Sequence, residues 1–142
     1  MGKFAVSDVD AVLFQTTLCV QVGDVNYGGH LANDAVLRLC HEVRMRWLAG
    51  LGCNETDAGG AGLIMADAAV QYLAQGLYGD ELSAEMGVED IGKGGFALLF
   101  RLTRITDGKV LARARTGMVC FDYVRQKVCR LPEALKTVLE VV

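Results

Sequence analysis

The residues best suited to chemistry in this chain lie together in Asp24-Val25-Asn26-Tyr27-Gly28-Gly29-His30-Leu31-Ala32-Asn33. A carboxylate, Asp24, follows a strand-like run. A turn with two glycines comes next, and a strongly amphipathic helical pattern begins after it. That order brings an acid or nucleophile close to a helix N-terminus, whose free N–H groups and positive dipole end can hold a developing oxyanion. Water addition to a polarised carbonyl needs those two parts. Asp24 is suited to act as general base on a water or as a nucleophile giving a mixed anhydride. The main chain at Gly29, His30 and Leu31 is the expected source of oxyanion donors, and Gly28 and Gly29 permit close backbone approach. His30 either hydrogen-bonds a substrate or satisfies backbone groups at the helix entrance. Asn33 reads as a helix cap whose amide can also position water. Taken alone, Asp24 reads better as an ordinary turn aspartate.

The elements around this stretch follow from periodicity. Residues 12–22 alternate, with Phe14, Thr16, Leu18, Val20 and Val22 on one face, which predicts a half-buried strand. Residues 33–51 predict the one long helix, with Val36, Cys40, Val43, Trp47 and Leu51 at helical spacing and Leu37 and Leu48 widening the stripe. Gly52 fits the position just past its end. Glu42 falls opposite the stripe with Arg38 and Arg46 four residues away on either side, which favours a solvated salt bridge over catalysis. Asn54–Gly62 is a small polar linker. Strand patterns follow at residues 63–74, 82–91, 96–106 and 109–122. Asp107-Gly108 signals a type I′ hairpin turn, Gly92–Gly95 a second turn, and Pro132 opens a short helix to Leu139. Asp67 reads as an outward strand residue or one recruited at a dimer seam. The layout is α+β, with one domain over residues 1–142. An antiparallel sheet curls around a single apolar helix and leaves strand edges to cover, so a two-fold homo-oligomer, dimer or tetramer, is expected.

Composition excludes several classes. The chain has 142 residues, is 52% hydrophobic and carries a net charge of −3, which argues against general nucleic-acid binding. Cys19, Cys40, Cys53, Cys120 and Cys129 are odd in number and show no CxxC spacing. With only His30 and His41 beside them, a metal site is unsupported. Reduced, buried thiols are expected, and with them a cytoplasmic location. Met1–Asp8 lacks the apolar run of a signal peptide and the hydroxyl spacing of a myristoylation site, and no 18-residue apolar stretch suggests a membrane span. Neither a P-loop nor Gly-x-Ser-x-Gly occurs.

In order and spacing, Asp24, Asn26, Gly29, His30 and Asn33 resemble the core motif of hotdog-fold thioesterases of the 4-hydroxybenzoyl-CoA thioesterase-like branch. Glu42 and Arg44 in the helix, the Leu51-Gly52 helix end, and Phe121-Asp122-Tyr123 followed by Lys127 and Leu131-Pro132-Glu133 extend the resemblance over nearly the whole chain. It implies a hotdog fold, with a long central helix wrapped by a curved antiparallel sheet of five to six strands. It also implies acyl-CoA thioester hydrolysis without metal or cofactor, with Asp24 the catalytic carboxylate and His30 beside it. Many relatives carry a second aspartate where Asn26 stands. The scaffold also hosts dehydratases and non-catalytic acyl-CoA binders. Tyr27 is either a wall of the acyl pocket or a packed turn aromatic. Coenzyme A needs basic groups at a pocket rim, for which Lys93, Arg104, Arg125, Lys127 and Arg130 are candidates.

Overall fold

The apolar stripe on residues 33–51 decides the architecture, because a helix with so broad an apolar face must be covered. The computed structural model describes residues 4–141. Met1, Gly2 and Lys3, on which the signal-peptide and myristoylation readings partly rest, lie outside the described residues. The elements are β1 (Phe14–Cys19), α1 (Asn33–Gly50), β2 (Gly62–Tyr72), β3 (Glu81–Glu89), β4 (Gly95–Arg104), β5 (Val110–Asp122), β6 (Lys127–Val128) and α2 (Glu133–Leu139). The sheet runs β1-β3-β4-β5-β2, with every neighbouring pair antiparallel, and the two-residue β6 adds to β5. Because β1 and β2 form opposite edges, α1 carries the chain from one edge to the other across one sheet face.

The helix buries Ala35, Val36, Leu39, Cys40, Val43, Arg44, Trp47 and Leu48. These meet the inward residues Leu82, Ala84 and Met86 of β3, Leu98, Phe100 and Leu102 of β4, and Ala112, Ala114 and Met118 of β5 in one core. Each fully buried Val, Leu or Met contributes about 1.5–3 kcal/mol, so the seam between α1 and the sheet outweighs any single polar contact. Leu51, expected in the stripe, is exposed, and Leu39 takes a place in it. The end of α1 is as expected. Gly52 adopts φ +73°, and the Gly52 and Cys53 amides close back on the Ala49 and Leu48 carbonyls.

Several boundaries move for identifiable reasons. The first strand stops at Cys19 because residues 22–24 form a single 3₁₀ turn, which leaves Val22 exposed rather than on the buried face. Ala32, not Asn33, caps α1, and Asn33 is its first helical residue. Pro132 likewise caps α2 from outside. The Asp107-Gly108 turn is not type I′, since only Gly108 has positive φ, at +71°. Asp107 instead accepts the Lys109 amide and holds Arg104 with both carboxylate oxygens. Residues before β1 lie on the outer sheet face, where Val6 and Val9 are buried and Arg101 donates to Asp8 Oδ1 and the Val9 carbonyl at 2.9 Å. All five cysteines are free. Burial pushes the Cys40 thiol up to about 12 and the Cys120 thiol, with Cys129 adding to the effect, up to about 11.

A partly buried ion pair ties α1 to the loop before β2. Arg44, buried on the helix, donates from Nε to Glu55 Oε2 at 2.7 Å, and His41 Nε2 lies 2.7 Å from Glu55 Oε1. Partial burial works to raise the Glu55 carboxyl, but its hydrogen bonds to His41 and Arg44 and the Arg44 charge hold it below its ordinary value of 4.5. A lowered folded-state value means the pair stabilises above the unfolded value and loses that contribution as pH falls through the folded one. Glu55→Gln is expected to cost about 3 kcal/mol near neutrality, because it leaves Arg44 buried without its counter-charge. Urea unfolding at a series of pH values should show the gap to wild type narrowing as pH drops below 4.5.

Candidate active site

Residues 24–33 form a compact loop that delivers the chain into α1. Asn26 is its hub. Its amide donates to the His30 carbonyl at 2.8 Å, and its carbonyl accepts the Gly29 amide at 2.9 Å. Its side-chain Oδ1 accepts the amides of Gly28 at 3.0 Å and His30 at 3.2 Å. Gly29 sits at φ +82°, a conformation few other residues adopt without strain. The loop is pinned from outside by Leu31 N–H to the Gly76 carbonyl at 2.7 Å and Ala32 N–H to the Asp24 carbonyl at 2.8 Å. Gly76 permits that approach, because a Cβ there would lie 3.0 Å from Leu111 Cδ1 and 3.1 Å from Leu31 Cβ.

A cleft of about 330 Å³ opens at the entrance of α1, between the helix and the β2 end of the sheet. Asn26, His30, Leu31, Asn33 and Val36 form one wall, and Tyr72, Leu73, Ala74, Gln75 and Leu111 the other. Tyr72 Oη donates to the Asn33 carbonyl at 2.9 Å and so braces the first helical residue. Among the described residues the His30 ring, which lines this cleft, has no hydrogen-bond partner. The cleft borders a second depression lined by His30, Gln75, Leu77, Arg104 and Lys109. Larger depressions lie elsewhere, of about 480 Å³ beside Asp10 and Glu140 and about 620 Å³ beside Asp122 and Arg130. Neither includes a histidine or the start of α1.

The amides expected as oxyanion donors are already paired. The His30 and Leu31 amides are spent on Asn26 Oδ1 and the Gly76 carbonyl, and the Gly29 amide on the Asn26 carbonyl. The open amides at the start of α1 belong to Asn33 and Asp34, for which no acceptor is found among the described residues. Asn33 lines the cleft, and its side chain does not cap the helix.

Asp24 does not share this cleft. It borders one of about 360 Å³ on the other flank of α1, with Leu18, Cys19, Gln21, Arg38, Leu39, Glu42 and Arg46. β1 and β2 are opposite edges of the sheet, so α1 separates the two clefts within a protomer. Asp24 Oδ2 accepts the Gln21 amide at 2.9 Å, which closes the 3₁₀ turn, and Oδ1 lies 4.0 Å from Arg38. The expectation that Asp24 attacks beside His30 is therefore corrected for one protomer.

The remaining candidates fall elsewhere. Glu42 binds Arg46 at 2.7 Å, and Arg46 reaches on to Thr16 Oγ1 and the Thr17 carbonyl, so the pair fastens α1 to β1. Arg38 pairs with Asp34 instead of Glu42. Asp67 is exposed beside an irregularity in β2 and accepts the Gly117 amide. Tyr27 is fully exposed, neither packed nor walling the cleft. Of the basic candidates only Arg104 borders the His30 region, and Asp80 and Asp107 already hold it. Tyr72, Gln75 and Lys109 were not singled out from the sequence, because only the sheet register brings them to the α1 entrance. No described helix is long and apolar enough to cross a membrane.

A lone helix crossing one face of a curved antiparallel sheet, with a polar cleft at its N-terminus, defines a hotdog-type α+β protein. Residues 20–139 match the family model described as the Thioesterase-like superfamily, and the chain belongs to that family. It is 25% identical over 132 residues to a 1,4-dihydroxy-2-naphthoyl-CoA hydrolase of Synechococcus elongatus, a match covering 90% of this chain and 96% of that one. The structure of a 1,4-dihydroxy-2-naphthoyl-CoA thioesterase from Synechocystis superposes with a TM-score of 0.82 at 22% identity, covering 91% of this chain and 96% of the other. A Staphylococcus aureus protein solved in complex with CoA superposes at 0.80 with 16% identity, covering 95% and 85%. These likenesses bear out the hotdog fold.

The geometry around Asp24 separates cap from catalyst. Asp24→Asn keeps an oxygen for the Gln21 amide and should leave stability nearly unchanged. Asp24→Ala removes that acceptor and should cost about 1 kcal/mol. Thermal or urea unfolding of the two variants measures the difference.

Proposed function

We propose that the protein is an acyl-CoA thioesterase working at the α1 entrance, on the ground that His30 and Asn33, the first residue of α1, line the same cleft. Family membership and the CoA-thioester hydrolases among its relatives support that reading. The acyl thioester lies in the cleft with its carbonyl oxygen toward the Asn33 amide. His30 takes a proton from a water as the water oxygen bonds to the carbonyl carbon. Negative charge collects on the former carbonyl oxygen, where the helix-end amide and dipole stabilise it. Collapse breaks the C–S bond, and the imidazolium returns its proton to the departing thiolate. Free acid and CoA result. Val36, Leu73 and Leu111 supply apolar surface for the acyl group, and Lys109 at the adjoining depression suits the anionic part of CoA. Asp24 acts as a positioning residue, since its carbonyl holds Ala32 immediately before α1.

The working unit is a two-fold dimer joined along β2. That strand pairs on one side only and leaves an eleven-residue edge, with Ile64 and Met65 exposed. A bare edge of this length is an aggregation hazard unless another strand covers it. The five free thiols suit the reducing cytoplasm.

A thiol-release screen with aromatic and medium-chain acyl-CoAs tests the activity. His30→Ala should lower kcat by about 10²–10⁴, the usual worth of a positioned acid–base group. Unchanged hydrolysis by folded His30→Ala would remove the mechanism, and no thiol release by wild type would remove the function. Sedimentation velocity should find wild type dimeric and an Ile64→Glu, Met65→Glu double variant monomeric.

A further inference from the structure

We infer that Cys120 and Cys129 join in a disulfide when a peroxide reaches the protein, and that this bond clamps β6 onto β5. The two residues lie directly opposite one another. The pairing of Phe121 with Val128 and of Asp122 with Lys127 continues by one step to Cys120 and Cys129. The Cys129 amide donates to the Cys120 carbonyl at 2.9 Å. Opposed residues on antiparallel strands hold their α-carbons about 4.5–5.5 Å apart, within a disulfide's reach of about 4.4–6.8 Å. The register also sets both side chains on one face of the sheet. Cys120 belongs to the core, and the half-buried Cys129 packs against that same core. Both thiols are free. Cys19, the other cysteine on a strand, opposes Glu81 and has no such partner across the sheet.

Unequal burial gives the two sulfurs separate parts. Cys129 lines the depression of about 620 Å³ with Asp57, Gly60, Tyr123 and Arg130, where a small oxidant such as hydrogen peroxide can enter. Cys120 is fully buried. The Cys129 sulfur takes oxygen from the peroxide. An S–O bond forms, the O–O bond breaks, and one water leaves. The Cys120 sulfur then attacks the sulfenic acid on Cys129. An S–S bond forms, the S–O bond breaks, and the hydroxyl departs with the Cys120 proton as a second water. Two thiols are oxidised by loss of two hydrogens, and one hydrogen peroxide is reduced to two waters. A reductant has to attack the Cys129 sulfur and expel the Cys120 thiolate. Burial, with Cys129 adding to the effect, pushes that thiol up to about 11, so it leaves slowly and the bond persists once made. The clamp acts where the chain is lightly held, because β6 has only two residues and both are exposed.

The experiment treats folded wild type and Cys129→Ser with hydrogen peroxide, blocks remaining thiols with iodoacetamide in urea, digests with trypsin without reductant and reads the peptides by mass spectrometry. Cleavage after Arg115, Arg125, Lys127 and Arg130 leaves Cys120 in residues 116–125 and Cys129 in residues 128–130, so the bond appears as two joined peptides lighter than their sum by two hydrogens. Wild type should yield that pair, and dithiothreitol should abolish it. Peroxide should also raise the wild-type melting temperature by about 5–10 °C, the effect of closing a loop of this length. Cys129→Ser should give no joined pair and melt as its untreated form does. Cys129 recovered as sulfinic acid with Cys120 still alkylatable overturns the inference, as does Cys129 joined to Cys53 or to a second chain, or both thiols recovered unoxidised. A joined pair that leaves the melting temperature unchanged overturns the clamp. These readouts use no acyl-CoA, so they stand or fall separately from the thioesterase reading.

Discussion

Burial of one helix against one sheet face is the constraint on which the rest of the molecule depends. α1 lays its long apolar face on the inward residues of β3, β4 and β5, and the short α2 adds only Leu135 and Leu139 to the same core. Once the helix lies across the sheet, its ends are fixed. Its N-terminus emerges where the β2 end of the sheet passes residues 26–31, and there the chain has both open amides and a histidine. The position of the proposed site is thus a by-product of where an apolar stripe has to stop.

Polar interactions refine that placement without creating it. Arg44 and Glu55 fasten α1 to the β2 side, while Glu42 and Arg46 fasten it to β1. The first pair is partly buried and resists loss of either partner. The second is solvent-exposed and contributes little by itself, though Arg46 also reaches the β1 backbone. Asn26 does for the loop what these pairs do for the helix. One side chain replaces the several turn contacts that a glycine-rich segment would otherwise lack.

Most of the fold was legible in the sequence because its signals are periodic. Alternation located β2 to β5 within a few residues, and the apolar stripe located α1. The errors gather where periodicity ends. Val22 continued the β1 alternation in type but not in structure, because Asp24 turns back to cap Gln21 and winds the chain into a 3₁₀ turn. The motif residues were legible as a group, yet their division between two clefts was not. Sequence spacing does not reveal on which flank of α1 a side chain lies, and β1 and β2 become opposite edges only through sheet order. Tyr72 and Lys109 were hidden for the same reason, and the Arg44–Glu55 pair because a charge on an apolar helix face is invisible without its partner.

The cysteines have a use beyond packing. Cys40 and Cys120 are shut inside the core with thiols that resist ionisation, whereas Cys19 faces solvent. A soluble alkylating reagent meets Cys19 at once, but reaches the other two only when the helix lifts from the sheet. The pace at which those two sites gain label is accordingly a built-in clock for separation of the two layers, readable by mass spectrometry in the unaltered chain.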